Sequence, residues 1–364
     1  MAETFDVVVI GAGPAGSVAA QYAAEAGLSV AIIERRTRVG EPVQCGEFVP
    51  GVEETKAIFD KCGDIDEMFN VPSSIISKHT DEIIVHSPKD KLYKVPFIGF
   101  SVERKDFDKF LAIRAEKAGA KLFTSTHARG LKNDTVITTK GEFKGKVIVG
   151  ADGPLARVGS WVGLDGPTLL APCILEELPG DFEPKLHIYL GRWAPGGYAW
   201  IIPKAKSANI GLGIQHNYTE QSLRKLFKKY LEHLGLGDKK PIFKSGGLVP
   251  MSGIVKKTVS KNVIMVGDAA GMVMSSNGGG IVPAMLAGKI AADSITAHIK
   301  KGTPLDKYEP TWRAGMSKPL KNAQKTQRVA DKFFKSDTQF DLSLSIVGRR
   351  GLERGIKCRP LFGI

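Results

Sequence analysis

Residues 5–16 read FDVVVIGAGPAG, an apolar run that leads directly into a glycine-rich turn. The run is short and rich in β-branched side chains, which predicts a buried strand. Residues 17–26 carry mostly small, helix-compatible side chains and stop at Gly27, which predicts a helix. A strand, a glycine-rich turn and a helix in this order indicate a nucleotide-binding unit of an α/β fold.

The glycines of this turn have separate predicted tasks. Gly11 permits the tight turn, Gly13 lets the backbone approach a pyrophosphate, and Gly16 lets the helix pack closely against the strand. The amino terminus of the helix then faces the negative charge of the ligand. A turn with a purely structural task is the alternative, because glycine-rich turns occur in many loops.

An acidic residue follows the next predicted strand. Residues 29–33 are mostly apolar and lead to Glu34, at about the distance where a carboxylate accepts hydrogen bonds from ribose hydroxyls. Arg35 and Arg36 come next and favour, as an alternative, the 2′-phosphate of NADP in this slot.

A second glycine-containing phrase lies far along the chain. Residues 267–271 read GDAAG and follow the apolar run 263–266. Two such turns, each after a buried-strand pattern, indicate one extended ligand that is bound at both ends. FAD fits this description best, so we expect FAD as the cofactor.

The composition indicates a globular protein. Of 364 residues, 43% are hydrophobic and 24% are charged, which is ordinary for such a protein. No stretch approaches the roughly 20 uninterrupted apolar residues that span a bilayer. Glu3 and Asp6 stand where a signal peptide carries basic residues, so we expect a cytoplasmic protein.

Cysteine spacing and net charge narrow the classes of ligand and partner. The four cysteines, at positions 45, 62, 173 and 358, form no C-x-x-C pair, so we expect neither a metal ion nor an iron–sulfur cluster. The net charge of +13 indicates an anionic partner, for which nucleic acid, an acidic redox protein and a phospholipid surface all qualify.

The region 306–364 is rich in basic residues that alternate with apolar ones. This pattern is typical either of a solvated helical face or of a patch that binds a membrane or a partner. The apolar members include Val329, Phe333, Phe334 and Leu352.

Changes in residue composition and hydrophobic pattern along the chain predict the domain organisation. Between about residues 165 and 250, β-branched and aromatic runs alternate with Gly and Pro turns, which predicts an antiparallel sheet. Residues 40–51, rich in Gly and Pro, predict an extended loop without secondary structure, and residues 281–299 predict a long helix. We expect a discontinuous FAD-binding domain at 1–70, 100–160 and 255–305, a substrate-binding sheet domain at 71–99 and 161–254, and a C-terminal helical, basic tail at 306–364.

Three further motifs carry a family resemblance: PVQCGE at 42–47, PGGYAWIIP at 195–203 and GGGI at 278–281. With the two glycine phrases, they make the chain resemble the FAD-dependent geranylgeranyl reductases, most closely the archaeal digeranylgeranylglycerophospholipid reductases, from residue 5 to about residue 330. The resemblance implies an α/β fold in which a Rossmann-like FAD-binding domain, of the glutathione-reductase and p-hydroxybenzoate-hydroxylase type, carries an inserted antiparallel-sheet domain.

The resemblance also implies contacts to FAD. Asp268 would accept a hydrogen bond from a ribityl or ribose hydroxyl, and the helix that begins near Gly280 and Ile281 would face the pyrophosphate or the flavin. Arg104 would supply a fixed positive charge, with a plain surface cation as the alternative. The full set of implied FAD contacts is Ala15, Glu34, Cys45, Gly46, Arg104, Ala128, Asp268, Gly280 and Ile281.

The implied reaction adds a hydride from N5 of reduced flavin, and a proton, across a C=C bond of a geranylgeranyl chain. The motif at 195–203 is the implied substrate signature, with Pro195, Tyr198 and Trp200 as substrate-binding residues. Tyr198 and Trp200, at i and i+2 of a predicted strand, would form an aromatic wall along the prenyl chain, with a plain role in the core as the alternative.

Two residues of the 42–47 motif are catalytic candidates. We expect Cys45 to act as a proton relay or as a wall of the flavin pocket, with a buried, inert thiol as the alternative. Glu47 is a further candidate acid if burial raises its pKa, although a salt bridge with a nearby Arg or Lys explains it equally well.

Two other functions stay open at this point. Residues 198–203 also resemble the W-x-W-x-I-P motif of flavin-dependent halogenases with the first Trp lost, so an FAD monooxygenase or halogenase is one alternative. A non-catalytic flavoprotein electron carrier is the other. For the reductase we expect a prenylated glycerophospholipid substrate, ferredoxin or another reduced carrier as electron donor, an anionic membrane surface as peripheral docking site on its inner face, and no nucleic acid.

Overall fold

The structure, a computed structural model, describes residues 2–361. The strands are β1 (Glu3–Ile10), β2 (Val30–Ile33), β3 (Phe48–Pro50), β4 (Ile76–His86), β5 (Leu92–Val102), β6 (Lys121–Phe123), β7 (Ala128–Lys132), β8 (Thr135–Thr138), β9 (Gly141–Gly150), β10 (Leu170–Pro179), β11 (Leu186–Tyr189), β12 (Tyr198–Pro203), β13 (Ser207–Gly213), β14 (Phe243–Pro250), β15 (Val259–Ser260) and β16 (Val263–Met265). The α-helices are α1 (Pro14–Glu25), α2 (Val52–Ile58), α3 (Ile65–Met68), α4 (Arg104–Lys117), α5 (Arg157–Ser160), α6 (Leu223–His233), α7 (Ile281–Lys301), α8 (Tyr308–Ala330) and α9 (Asp337–Ile356).

The first sheet has the strand order β15-β16-β9-β1-β2-β6, with β7 and β8 attached beside β9. Strand β1 pairs in parallel with β2 and β9, and β9 pairs in parallel with β16. Ile10 lies beside Ile33 and Gly150, and Gly150 lies beside Met265. The carboxyl ends of four parallel strands therefore meet at one edge, which is where ligands bind in open α/β sheets.

Helix α1 packs on the first sheet and against both α4 and α7. Gly288 of α7 allows the closest approach, because a Cβ atom there would overlap the carbonyl oxygen of Ala15 in α1. This contact brings the helix that follows the second glycine phrase onto the helix that follows the first. The FAD-binding arrangement predicted from the two phrases is confirmed at the level of the fold.

The second sheet has the order β14-β10-β13-β12-β11-β4-β5-β3. Its pairs are antiparallel except for β4 and β11, which run in parallel. Helix α6 covers part of one face, with Phe227 and Tyr230 packed in one cluster with Ile210 and Leu212. The antiparallel sheet predicted for residues 165–250 is confirmed, and the region also holds α6, which the alternating texture did not indicate.

The prediction that residues 40–51 hold no secondary structure is wrong at the end of that range. Phe48–Pro50 form β3, which pairs with β5 so that Phe48 lies beside Ser101. Strand β3 is the edge of the second sheet, a position where Pro50 removes no inner hydrogen bond of the ladder. The Gly and Pro content indicated only a loop because the pairing depends on a contact distant in sequence.

Helices α8 and α9 pack on the body of the protein. Trp312 and Met316 of α8 are buried, and Trp312 Nε1 donates to Thr258 Oγ1 at 2.9 Å. Helix α8 packs against α7, and α9 packs against β5. The predicted C-terminal helices are therefore a wall of the fold and not a detached tail. Within residues 2–361, no helix is both long enough and apolar enough to cross a membrane.

Candidate active site

The first glycine turn shows which glycines the protein needs for its own packing. A Cβ atom at Gly11 would overlap the carbonyl oxygen of Ala151, and one at Gly16 would overlap the carbonyl oxygen of Gly11. A Cβ atom at Gly13 would meet no atom of the described chain within 4 Å. Gly13 therefore borders open space at the amino terminus of α1, which fits the pyrophosphate of a dinucleotide.

Glu34 is buried at the end of β2, where it fixes the geometry of this edge. Its Oε2 accepts the backbone N–H of Ala12 at 2.8 Å, and its Oε1 accepts the backbone N–H of Arg36 at 2.8 Å. The guanidinium of Arg36 reaches the 42–47 loop instead, where it donates to Pro42 O at 3.2 Å and to Gln44 Oε1 at 2.5 Å.

A second acid at the same edge carries an unpaired oxygen. Asp152 follows β9 and lines the cavity described below, and its Oδ2 accepts the backbone N–H of Val158 at 3.0 Å. Its Oδ1 is buried without a hydrogen-bond partner among the described residues. Burial raises the pKa of this carboxyl, against the lowering effect of the backbone N–H groups. An orphaned acceptor in this place suits a hydroxyl-rich ligand such as the sugar chain of FAD.

The second glycine phrase places Asp268 near the start of α7. A Cβ atom at Gly280 would lie 3.1 Å from Asp268 Oδ1, so only glycine leaves this carboxylate unhindered. Burial raises the pKa of Asp268 to about 6, although the nearby charge of Arg104 acts in the opposite direction. Gly280 and Ile281 both line the cavity, at the amino terminus of α7.

The raised pKa of Asp268 predicts a pH-dependent stability of the FAD-free protein. The folded state holds this proton up to about pH 6, whereas an unfolded carboxyl loses it near its ordinary pKa of 3.8. Stability therefore falls as the pH rises through this window and stays low above it. We expect Asp268→Asn to raise the free energy of unfolding at pH 7.5 by at most about 3 kcal/mol, and with it the urea midpoint, and to change this free energy little at pH 4. The exposed Asp306→Asn is the control, and equal midpoints at pH 7.5 would contradict the expectation.

Arg104 is held by an acid on its own helix. Its Nε and Nη2 donate to the two carboxylate oxygens of Asp108, each at 2.8 Å, in the bidentate geometry that suits a guanidinium. Its backbone N–H donates to Glu47 Oε1 at 2.9 Å. Burial raises the pKa of the partly buried Cys45 thiol, and the charge of Arg104 opposes this shift. The positive charge predicted at Arg104 thus lies beside the 42–47 loop rather than on the open surface.

Glu47 is fully buried. Its hydrogen bonds join the 42–47 loop to the start of α4, to the residue after β12 and to β13. Its Oε2 accepts Lys204 Nζ at 3.0 Å and Asn209 Nδ2 at 2.9 Å, and its backbone N–H donates to Cys45 Sγ at 3.2 Å. Its φ of 69° lies in the left-handed region that non-glycine residues rarely adopt. The structure shows both a Glu47 carboxyl whose pKa is raised by burial and a salt bridge from Lys204, which lowers this pKa.

Lys204 stands at the centre of a buried charge cluster that the sequence did not indicate. Its side chain is 1% exposed, and Nζ donates to Glu47 at 3.0 Å, to Glu103 at 2.7 Å and to Glu177 at 2.9 Å. The cluster ties the 42–47 loop and the start of α4 to β10 and the end of β12. It therefore fixes the position of the Cys45 loop between the two sheets.

Tyr198 and Trp200 lie on one face of β12 and both line the cavity, with ring centroids 5.9 Å apart. Tyr198 Oη donates to the carbonyl oxygen of Asn277 at 2.5 Å, and Trp200 Nε1 donates to Asn209 Oδ1 at 2.9 Å. Asn209 Nδ2 in turn donates to Cys45 O and to Glu47 Oε2, each at 2.9 Å. Asn209 was missed by sequence reasoning, although an Asn in the middle of an apolar strand is a signal that could have found it.

Pro195 lies outside the lining of the cavity, although the adjacent Gly196 and Gly197 belong to it. Its carbonyl oxygen accepts the backbone N–H of Gln215 at 3.1 Å, so the residue shapes the turn before β12, and its contact with substrate stays a prediction. Gly16 also lies outside the lining, in its predicted role between helix and strand. The cavity does hold the other residues predicted for the site: Gly11, Gly13, Ala15, Glu34, Cys45, Gly46, Glu47, Arg104, Ala128, Tyr198, Trp200, Asp268, Gly280 and Ile281.

One cavity of about 770 Å³ joins the glycine turns to an apolar region. The second sheet contributes residues such as Ile83, Val85 and Ile188 to the apolar region, and the C-terminal helices contribute further apolar side chains. Val329, Phe333, Phe334 and Leu352 all line this cavity, so these apolar residues face the interior, and the two interpretations of the basic residues among them stay predictions. The helical periodicity of 306–364 did not reveal which face meets the protein.

A second thiol faces the same cavity. Cys173 of β10 lines it, and burial, with a smaller contribution from Cys45, raises the pKa of Cys173 to about 12. Burial likewise raises the pKa of Tyr198. The Cys173 thiol and the Tyr198 hydroxyl therefore keep their protons at neutral pH.

Family models match both sheets of the structure. The family described as Geranylgeranyl reductase catalytic domain matches residues 177–249, which include β12 to β14. The family described as Pyridine nucleotide-disulphide oxidoreductase matches residues 5–91, which include the first glycine turn. The two matches thus fall on the two parts of the cavity.

Relatives cover nearly the whole chain. The digeranylgeranylglycerophospholipid reductase of Methanocaldococcus jannaschii is 34% identical over 95% of this chain and 91% of its own, and that of Methanosarcina acetivorans is 36% identical over 86% and 81%. A solved geranylgeranyl bacteriochlorophyll reductase-like protein from Thermoplasma acidophilum has a TM-score of 0.83 at 28% identity and covers 95% of this chain and 92% of its own. A flavin-dependent brominase, at 18% identity, a TM-score of 0.72 and coverage of 99% and 96%, shares the fold alone. The chain belongs to the digeranylgeranylglycerophospholipid reductase family.

Proposed function

We propose that this protein is an FAD-dependent reductase that saturates C=C bonds of geranylgeranyl chains in a glycerophospholipid precursor. The observation that carries the proposal is the single cavity, which connects a nucleotide cradle to a long apolar region through the aromatic wall of Tyr198 and Trp200. A polar cofactor and an apolar chain can therefore meet at one point. Family membership supports the same reaction.

Reduced FAD, when bound, supplies the hydride for this reaction. This chain's residues would bind and orient the cofactor. The turn at Gly13 and the start of α7 would receive its phosphates, and Asp152 and Asp268 would accept hydrogen bonds from its sugar hydroxyls. The apolar walls exclude water and align the prenyl chain beside the cofactor. Glu47 holds the Cys45 loop in place through Lys204 and Asn209.

We assign the proton for the second carbon to Cys45. Its thiol lines the cavity and keeps its proton because burial raises its pKa. A neutral thiol adds no buried charge beside an apolar substrate. The thiolate that remains after proton transfer takes up a proton from water when the saturated product leaves the cavity.

We expect Cys45→Ala to slow substrate-dependent flavin reoxidation by about a hundredfold, the usual contribution of a positioned proton donor, without loss of FAD. Cys45→Ser keeps a proton on the side chain and should recover part of the rate. Cys62→Ala is the control, because Cys62 lies away from this cavity. If Cys45 only lines the flavin pocket, the flavin of the Ala and Ser variants will be reoxidised as fast as that of the wild-type enzyme.

We also propose an electron donor and a membrane surface for this protein. A net charge of +13 favours an acidic ferredoxin as electron donor and an anionic membrane surface as the place where substrate is collected, on the inner face of the membrane. The substrate itself is a lipid, which supports peripheral association.

An anaerobic experiment tests the function. The FAD-loaded protein is reduced with dithionite, digeranylgeranylglyceryl phosphate is added, and flavin reoxidation and product mass are followed together. Reoxidation with mass gains of two hydrogens per step supports prenyl reduction. A flavin that stays reduced overturns it, and reoxidation only on admission of oxygen, with an oxygenated product, would favour the monooxygenase alternative.

A further inference from the structure

Helix α9 is apolar on two opposite faces. Phe340, Leu344 and Val347 point inward and line the cavity. On the other side, Leu342 is 61% exposed and Ile346 is 73% exposed. A surface helix of a globular protein normally presents polar residues to water. Exposed apolar residues on such a helix, like this outward pair, indicate a contact with a partner.

Exposed cations flank this outward pair in the sequence. Lys335 lies just before α9, and Arg349 and Arg350 directly follow the non-helical Gly348. None of the three cations forms an ion pair within residues 2–361. We call these five residues the outer α9 surface. Its combination of apolar side chains and cations is typical of helices that lie in the interface of an anionic bilayer.

The acids of this part of α9 are turned away from the outer α9 surface. Asp341 accepts from the Ser87 hydroxyl and from the backbone N–H of Lys89, which fastens the helix to the turn between β4 and β5. Lys91 Nζ and Tyr93 Oη contact Ser345 Oγ at 3.4 and 3.3 Å. These contacts hold the inward face over the cavity and leave the cations unopposed on the other.

A break in the helix follows directly. Gly348 has a φ of 61° and a ψ of −177°, a conformation that other residues adopt only with strain. A Cβ atom there would meet nothing within 4 Å, so the backbone conformation and not packing selects glycine. After the break, Arg349 and Arg350 are exposed to solvent, whereas Leu352 lines the cavity.

We propose that the outer α9 surface docks on an anionic lipid bilayer, with Leu342 and Ile346 inserted at the acyl boundary and the cations on the headgroups. Only the thickness of α9 then separates the bilayer from the apolar region of the cavity. Prenyl chains pass from the membrane to the site beside this helix. The inference rests on the proposed function, because it takes the cavity as the place of a membrane lipid.

Vesicle flotation with the full-length, FAD-loaded protein tests the docking. The vesicles are pure phosphatidylcholine, or phosphatidylcholine with about a third phosphatidylglycerol, and contain no prenyl substrate. We expect binding to the anionic vesicles, a loss of at least tenfold in Leu342→Ser/Ile346→Ser, and a comparable loss in Arg349→Gln/Arg350→Gln. Leu92→Ser/Ile98→Ser, which removes two exposed apolar residues of β5, should bind like the wild-type protein.

The outcomes separate docking from catalysis. Turnover is measured in parallel on substrate dispersed in detergent micelles, where the α9 variants should match the wild-type rate. Equal vesicle binding by all variants overturns the docking surface, as does an equal loss in the β5 control. Vesicle binding with no turnover by the wild-type protein overturns the proposed function and leaves the docking intact. Unchanged vesicle binding with lost reduction by ferredoxin would assign the outer α9 surface to a protein partner and overturn the inference.

Discussion

Lys204→Met should lower the free energy of unfolding by about 3–5 kcal/mol, the usual effect of removing one partner from a buried ion pair. The ammonium stands among Glu47, Glu103 and Glu177, and its side chain is 1% exposed. Without it, at least two nearly buried carboxylates keep no cation. Urea unfolding at pH 7.5, with FAD at the same saturation, measures the loss.

The pH dependence of this loss identifies its cause. Carboxylates left without Lys204 have raised pKa values, so they take up protons as the pH falls and the charge that destabilises the fold disappears. The difference between the variant and the wild-type protein should therefore shrink between pH 7.5 and pH 5. Lys206→Met, two residues away and exposed, is the control. A deficit below about 1 kcal/mol, or one that does not change with pH, would show that the cluster is not the anchor of the Cys45 loop.

Alanine substitutions at two glycines of the first glycine turn should have different effects, one on folding and the other on FAD affinity. Gly16→Ala should prevent stable folding or lower the unfolding midpoint sharply, because the new methyl group overlaps the carbonyl oxygen of Gly11. Gly13→Ala should fold like the wild-type protein, because no atom of the described chain lies within 4 Å of its new Cβ. It should nevertheless bind FAD at least a hundredfold more weakly, since the methyl group occupies the space that the pyrophosphate approaches.

Two measurements on each variant decide the matter. Thermal unfolding of the FAD-free protein reports the fold, and fluorescence titration with FAD reports the cofactor site. If Gly13→Ala keeps its FAD affinity, the open space above α1 does not hold the pyrophosphate. If Gly13→Ala unfolds as early as Gly16→Ala, the turn depends on glycine at both positions for its own packing.

The sequence was sufficient for features that depend on neighbours in the chain. The glycine turn, the acid after β2 and the helix that opens at Ile281 each follow from a short run of residues and its spacing. The placement of Tyr198 and Trp200 on one face follows from the period of two in a strand.

Features that depend on long-range contacts could not be predicted from the sequence. Lys204 reads as an ordinary lysine in a turn until β10, α4 and the 42–47 loop are folded around it. The apolar residues of α8 and α9 show a helical period, but a period does not say whether an apolar face meets a cavity or a membrane. On α9, the structure shows one apolar face toward the cavity and another toward solvent.

The three hydrogen bonds of Asn209 have a consequence for the choice of substrate. Because one side chain holds Trp200, the carbonyl of Cys45 and Glu47, the aromatic wall and the thiol loop move as one unit. Enlarging the pocket at Trp200 therefore disturbs the thiol as well. The C-terminal helices share no hydrogen bond with residues 42–47 in the described part of the chain. Substitutions in α8 and α9 should therefore change the apolar end of the cavity without disturbing the Cys45 loop.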